Sequence, residues 1–320
     1  LSDIPMENIE RIEYVTGGAA TTLYGSDAAN GVIQIFTKKG GIGSFNAMAE
    51  AQIGWEEANA QFYHYSRTKE LLNQTGVMRK YRISLDGGGA MGGWALGASA
   101  SLNNGTVIAD NNKNHKYDVR FGSHLNFGDK VVYSNSLGFV HNDYMRSRNG
   151  NEGYYSGLWL TECGAASSMS YTDANGEKKS FSSDIDSMAG EAYDSFKNFI
   201  STSEALQNKK SNINRFQMSH ELKYQPITNL TVKGIFGIDY RYEGMTNIIT
   251  NELIKAVQYN GPTAVGNMTA YDRKFTSVTM EVNGQYNYYY NDWFSAVSTV
   301  GFQYFSNHDR QHLEQAVGIE

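Results

Sequence analysis

Side chains able to do covalent chemistry are sparse in this chain. It holds one cysteine, Cys163, which excludes an intrachain disulfide and a multi-cysteine metal site and reads as a bystander. The histidines are scattered, and no metal site is expected. No nucleophile elbow or phosphate-cradling glycine loop occurs, so neither catalysis nor a cofactor is expected. Asp110-Asn111-Asn112-Lys113-Asn114 is oxygen-rich like a calcium loop, but it lacks the required glycine and distal glutamate and reads as a plain turn. The remaining chemistry is binding. Tyr154, Tyr155 and Trp159 offer flat aromatic faces that can stack on sugar rings or grip peptide side chains, or else pack their own loop. The formal charge of −6 and the absence of a basic run leave no footprint for nucleic acid.

The elements that would position these groups are strands. From Ser277 to Tyr288, Val278, Met280, Val282, Gly284, Tyr286 and Tyr288 alternate with Ser277, Thr279, Glu281, Asn283, Gln285 and Asn287. A helix would scatter these groups around its circumference, whereas a strand sends them to two faces. Leu230–Tyr242, Arg215–Tyr224 and Tyr117–Phe127 repeat the pattern, although His220 falls on an apolar side. Weaker versions run through Phe45–Trp55, Arg79–Leu85, Trp94–Leu102, Val131–Phe139 and Phe294–Tyr304. These nine strands place Glu50, Arg120, Glu221, Lys223, Asp239, Arg241 and Glu281 on the polar side.

Two kinds of connection alternate. Tight turns lie at Asp86–Gly93, Gly128–Asp129, Pro226–Asn229 and Asn291–Asp292. Long polar connections lie at about 56–78, 103–114, 143–209 and 244–271. A meander with short turns at one end and long loops at the other is the pattern of an outer-membrane barrel. Lipid cannot hydrogen-bond backbone, so strands must close a ring and irregular chain must stay outside the hydrocarbon. The composition agrees, with 22 Tyr, 15 Phe, 33 Gly and 3 Pro. Mean hydropathy is negative, as it can be when only alternate residues face lipid. Trp55, Trp94, Tyr224, Tyr289, Tyr290 and Trp293 suit interfacial girdles. A soluble sandwich would need strands of about 5–6 residues, half the length of these. Scarce cysteine fits passage through an oxidising periplasm.

Residues 1–40 have another texture. Pro5 suits the start of a helical turn with Ile9 and Ile12 on one face. Arg11–Val15 reads as a strand and Gly17-Gly18 as a break. Ala19–Tyr24 reads as a compact helical turn ended by Gly25. Asn30-Gly31 then turns the chain into a short buried strand, Val32–Thr37. This small α/β unit contains Ile9-Glu10-Arg11-Ile12-Glu13, Leu23-Tyr24-Gly25 and Gly31-Val32-Ile33-Gln34-Ile35-Phe36-Thr37-Lys38-Lys39. It closely resembles the end of the plug domain of TonB-dependent transporters. Its Ala28-Ala29-Asn30-Gly31 form, closing on Lys38-Lys39-Gly40, is similar to the SusC/RagA branch. Thr16 departs from the Lys or Arg usual there, which puts in doubt any ion pair that side chain would make with the wall.

The resemblance implies a mostly β fold, a transmembrane antiparallel β-barrel of about 22 strands with the small α/β plug in its lumen. Residues 1–40 would then be the C-terminal part of the plug and 41–320 the N-terminal part of the barrel. The mid-protein character of Leu1-Ser2-Asp3 and the odd strand number add the expectation of a fragment. The implied activity is import of an oligosaccharide or peptide across the bacterial outer membrane. Its implied partners are TonB with its inner-membrane energising complex and a SusD-like surface lipoprotein. A siderophore or cobalamin receptor, or a plugged barrel with a structural or assembly role, shares the architecture. A removable plug needs a polar contact with its wall, so Arg11, flanked by Glu10 and Glu13, is expected to pair with Glu281 or Glu50. The alternative is a solvated wall with no special partner. Ligand contacts are expected from Tyr154, Tyr155 and Trp159.

Overall fold

The computed structural model describes residues 9–16, 30–41, 43, 45–146, 156–257, 265–291 and 293–319. Its body is one antiparallel sheet of nine strands in chain order. The strands are β3 (Asn46–Glu56), β4 (Gly76–Gly89), β5 (Gly92–Asn103), β6 (Asn114–Phe127), β7 (Val131–Met145), β10 (Asn208–Ile227), β11 (Leu230–Ile249), β12 (Gly266–Asn291) and β13 (Phe294–Ile319). Two further strands, β1 (Ile9–Val15) and β2 (Val32–Thr37), form a separate antiparallel hairpin. A third small hairpin, β8 (Ser170–Thr172) with β9 (Lys178–Ser180), sits in the longest connection.

All nine expected wall strands are present, and the register shows what their alternation is for. On β12, the side carrying Val278, Met280, Val282 and Tyr288 pairs across to Tyr304 and Phe302 of β13. The same side of β10 carries Phe216, Leu222 and Tyr224. Most of these apolar side chains are exposed, Val282 by 54% and Phe302 by 66%. Exposed apolar surface on this scale needs a non-aqueous neighbour. The outward apolar run spans Phe216–Tyr224 on β10, Val278–Tyr288 on β12 and Ala296–Tyr304 on β13. That matches the roughly 9–11 residues a tilted strand needs to cross hydrocarbon.

His220, which broke the pattern, is accommodated on this outward face. Its ring stacks on Tyr133 at a centroid distance of 5.9 Å, and its Nδ1 shares a 2.6 Å hydrogen bond with the Tyr133 hydroxyl. A cross-strand partner thus replaces the water that lipid cannot supply.

The strands run well past the apolar band, which corrects the expected limits of the long connections. β11 continues to Ile249 and β12 begins at Gly266, so much of the expected loop at 244–271 is strand. β7 likewise reaches Met145 and β10 begins at Asn208. Beyond the hydrocarbon both faces of the sheet are polar. The period-2 signal disappears there while backbone pairing continues.

At the long-connection end, three connections fold into one lobe. It holds helices α1 (Thr68–Leu72), α2 (Gly157–Glu162) and α3 (Glu191–Ala205), with α4 (Asn251–Val257) packed beside α3. Phe196 and Ile200, one turn apart on α3, are fully buried with Leu160 and Ile185, and Leu71, Met169 and Phe181 complete the core. The connections are also laced by polar contacts. The Asp186 carboxylate accepts from the backbone N–H groups of Ser66 and Arg67 at 2.8 and 3.0 Å. Glu162 accepts from the His64 N–H at 2.6 Å. Buried Glu204 accepts from Asn111 Nδ2 at 2.6 Å and from the Gly157 N–H at 3.1 Å. Gly157 leaves room for this packing, because a Cβ would lie 2.4 Å from Leu72 Cδ2 and 2.6 Å from Glu204 Oε1 and both side-chain ends would have to shift. The Asp110–Asn114 turn therefore supplies a structural amide, and Asp110 itself accepts from Gln74 at 3.0 Å.

Candidate functional site

The inward face of the wall is polar across its width. One register row runs Glu50, Arg82, Ser99, Asp118, Val140, Arg215, Arg241, Phe275, Asp309 across all nine strands. Neighbouring rows add Arg120, Gln217, Asp239 and Glu221. These charges are mutually compensated. Arg215 grips Asp239 with two hydrogen bonds of 2.9 and 2.5 Å, and Gln217 donates to the same carboxylate at 3.2 Å. Arg273 grips Asp309 at 3.0 and 2.7 Å, and Lys233 lies 3.4 Å from Glu221. Arg215, Asp239, Arg241, Glu243, Arg273 and Phe275 enclose a recess of about 200 Å³ on this face.

The β1–β2 hairpin lies against that inward face, which makes it a lumen. Two different contacts hold it. Along its length, Ile33–Thr37 border a polar cavity of about 560 Å³ whose far wall includes Gln217, Glu221, Lys233, Asp239 and Glu281. At its exit the contact is tight. The Thr37 and Ser136 hydroxyls are 2.9 Å apart, and the following backbone crosses a track of glycines. A Cβ on Gly122 would stand 2.4 Å from the Lys38 carbonyl oxygen, and one on Gly88 would stand 2.3 Å from that of Gly41. From the other side, Gly40 has φ +75°, and a Cβ there would meet the Trp94 carbonyl oxygen at 2.3 Å. Only hydrogen fits between these backbones.

The expected latch between Arg11 and Glu281 or Glu50 is not formed. Arg11 donates to Glu13 at 2.7 Å and lies 3.6 Å from Glu10, with its guanidinium carbon 3.7 Å from the Phe36 ring centroid. Glu50 is paired with Arg82 across the β3–β4 ladder, and Glu281 accepts from Asn283 at 2.6 Å. The cause is proximity. Residues two apart on one strand face share a side, so Glu13 reaches Arg11 at no cost in chain ordering. Asn30 and Gly31 shape the hairpin itself. Tyr14 donates to the Asn30 carbonyl at 3.3 Å, and Gly31 has φ +96° with its missing Cβ 3.0 Å from the Val15 oxygen. Tyr24, Gly25, Tyr154 and Tyr155 lie outside the described residues, as do the helical turns expected at Pro5 and Ala19–Tyr24.

Trp159 is half-buried on α2, and its indole nitrogen is buried without a hydrogen-bond partner among the described residues. Sequence reasoning missed a more open aromatic recess of about 370 Å³ in the lobe, bordered by Tyr171, Phe181, Asn198, Phe199 and Lys255. Its rings come from β8, the residue after β9, and α3, which are separated along the chain, so no local motif marks them. It also overlooked that His308 and His312 stand four apart. On a strand that spacing separates them by about 13 Å, and His312 is occupied with Glu314 at 2.9 Å.

A nine-stranded sheet with an apolar outer face, a charged inner face and a hairpin lodged against the latter has the architecture of part of a plugged outer-membrane β-barrel. The TonB-dependent receptor plug domain matches residues 1–32. The fold is shared with solved structures of the RagAB peptide transporter, at a TM-score of 0.70 and 14% identity over 99% of this chain and 41% of that chain. Structures of the RagAB peptide importer in its closed-closed and open-open states give TM-scores of 0.69, again at 14% identity. The chain thus spans 41% of the length of the first of these. Its first residues match a TonB-dependent receptor plug domain, and its sheet shares the fold of part of the RagAB structures.

Proposed function

We propose that this chain belongs to an importer that takes up an oligosaccharide or peptide across the outer membrane. In this reading TonB and its inner-membrane complex supply the work, and a SusD-like lipoprotein delivers substrate to the long-loop end. Residues 1–40 are assigned to the plug and 41–320 to the barrel. The observation that carries the reading is the unequal contact between hairpin and wall. A polar cavity separates most of the hairpin from charges that are already satisfied within the wall, so removing the hairpin breaks few direct bonds. The glycine track holds the exit segment close, so the plug remains seated at one point while the rest moves. The likeness to the RagAB peptide importer supports a peptide as cargo, and the aromatic recess and Trp159 are the proposed ligand contacts.

The test is uptake of labelled peptides and oligosaccharides by cells expressing the full-length transporter, with and without TonB. Accumulation that depends on TonB is expected, together with co-purification of a surface lipoprotein. Uptake that persists without TonB, or a barrel that takes up neither cargo in its presence, would overturn the reading. Gly122→Val is expected to dislodge the exit segment and admit large antibiotics that the intact plug excludes. Unchanged antibiotic resistance in a folded variant would remove the role given to the track.

A further inference from the structure

On the inward face of the wall, one arginine is served less fully than its neighbours. Arg215 and Arg241 stand directly opposite each other on β10 and β11, a like-charged pair that destabilises a sheet unless acceptors separate it. Arg215 has its acceptor, because Asp239 takes two hydrogen bonds from it and a third from Gln217. Arg273 likewise holds Asp309 with two. The Arg241 guanidinium also carries a full fork of N–H donors, yet among the described residues it makes one hydrogen bond, to Glu243 at 3.3 Å. Its Nε is buried without a partner among them, and its cross-strand neighbour on β12 is Phe275, which offers no acceptor. The side chain is still 35% exposed, and it borders the recess of about 200 Å³ on this face. That recess adjoins the cavity beside the hairpin through Asp239, which borders both. On β10 it is bordered by Arg215, whereas the hairpin cavity begins at Gln217, so the recess lies nearer the end where the long connections leave.

We infer that this recess is a lumenal subsite in which Arg241 grips a carboxylate of a peptide cargo before that cargo reaches the hairpin. The inference deepens the import reading and rests on it for the class of cargo. Geometry selects the group, because a planar guanidinium sets two parallel N–H groups against the two oxygens of a carboxylate. With Asp309 counted, the arginines and carboxylates of the cluster balance. Selection therefore comes from hydrogen bonds left unmade and not from excess positive charge. A doubly charged group such as phosphate is disfavoured, since Asp239 and Glu243 border the same recess. Glu243 keeps a cation when Arg241 turns to the ligand, because it stands directly opposite Arg273 on β12. Phe275 supplies an apolar ring for the adjoining part of the peptide.

The test incubates full-length transporter in phosphatidylcholine nanodiscs with an equal mixture of pentapeptides made as free acids and as C-terminal amides, and counts retained peptides by mass spectrometry. A second mixture, amidated throughout, sets glutamate-containing peptides against their glutamine counterparts, which separates a chain terminus from an acidic side chain as the source of the carboxylate. The acid form is expected to be enriched about tenfold in at least one mixture. Arg241→Gln is expected to abolish the enrichment, and Arg241→Lys, which keeps the charge without the fork, to lose most of it. Glu243→Gln removes the competing acceptor and is expected to raise the enrichment, whereas a merely structural pair would move the same way in both variants. Heat-modifiable migration of each variant verifies the closed barrel. Equal retention in both mixtures, a preference that survives Arg241→Gln, or one that falls in Glu243→Gln would each overturn the inference. The import reading is judged separately, by TonB-dependent uptake of the amidated peptides that carry no carboxylate.

Discussion

The lobe and the wall bury their apolar side chains by opposite strategies. In the lobe, Phe196, Leu160, Ile185 and Ile200 are fully enclosed by protein, so the core depends on its own packing. In the wall, Val282 and Phe302 project outward, and lipid completes their burial. An enclosed side chain that is truncated leaves a cavity, because its neighbours cannot fill the space. A lipid-facing side chain that is truncated leaves a gap that acyl chains fill. The wall is instead sensitive to charge, since hydrocarbon offers no water to an ammonium or guanidinium group.

Four outcomes would break or sharpen that contrast. Phe196→Ala is expected to cost the lobe about 3–5 kcal/mol, read as faster hydrogen exchange along α3 with barrel migration unchanged. Val282→Arg, in the middle of the outward band, is expected to cost the barrel about 2–4 kcal/mol, measured by urea unfolding in bilayers, whereas Val282→Ala should be nearly silent. A lobe variant as tolerant as Val282→Ala would mean that the lobe core is not load-sharing.

Acid should loosen the lobe. Burial acts to raise the Asp186 carboxyl, but the N–H groups of Ser66 and Arg67, with the Ser66 side chain and the Arg67 charge, outweigh it and hold the group below its ordinary value of 3.8. A depressed carboxyl stabilises the folded state above the unfolded value and loses that contribution as pH falls through the folded one. Pepsin nicking of the lobe should therefore rise as pH is lowered below 3.8, and Asp186→Asn should flatten the dependence. The smallest effect is expected at Arg11. Its partners are exposed and on its own strand, so Arg11→Glu should change plug retention by less than about 1 kcal/mol. Loss of the plug in that variant would restore the long-range latch.

The wall was legible because its strands obey a two-residue rhythm over the stretch where one face meets lipid and the other water. Ser277–Tyr288 states that rhythm without exception, and its structure follows. Legibility ended where the solvent became the same on both sides. The strand ends at 244–249 and 266–271 carry polar residues on both faces and read as loop. Composition announced that the long connections were polar, but the core assembled from Leu71, Leu160 and Phe196 joins residues far apart in the chain, with no local period linking them. The paired fate of Arg11 was hidden for a related reason. Sequence shows which charges are available, while distance decides which of them meet.

By itself the chain determined a plugged barrel, its strand order, and the side of each strand that faces lipid. Those follow from alternation and from a backbone that must satisfy its own hydrogen bonds in hydrocarbon. Only the tertiary structure decided the glycine track under the hairpin's exit, the fused lobe and the Tyr133–His220 pair on the outward face. Each depends on register between separate strands or on packing between distant segments, and a one-residue slip would undo any of them.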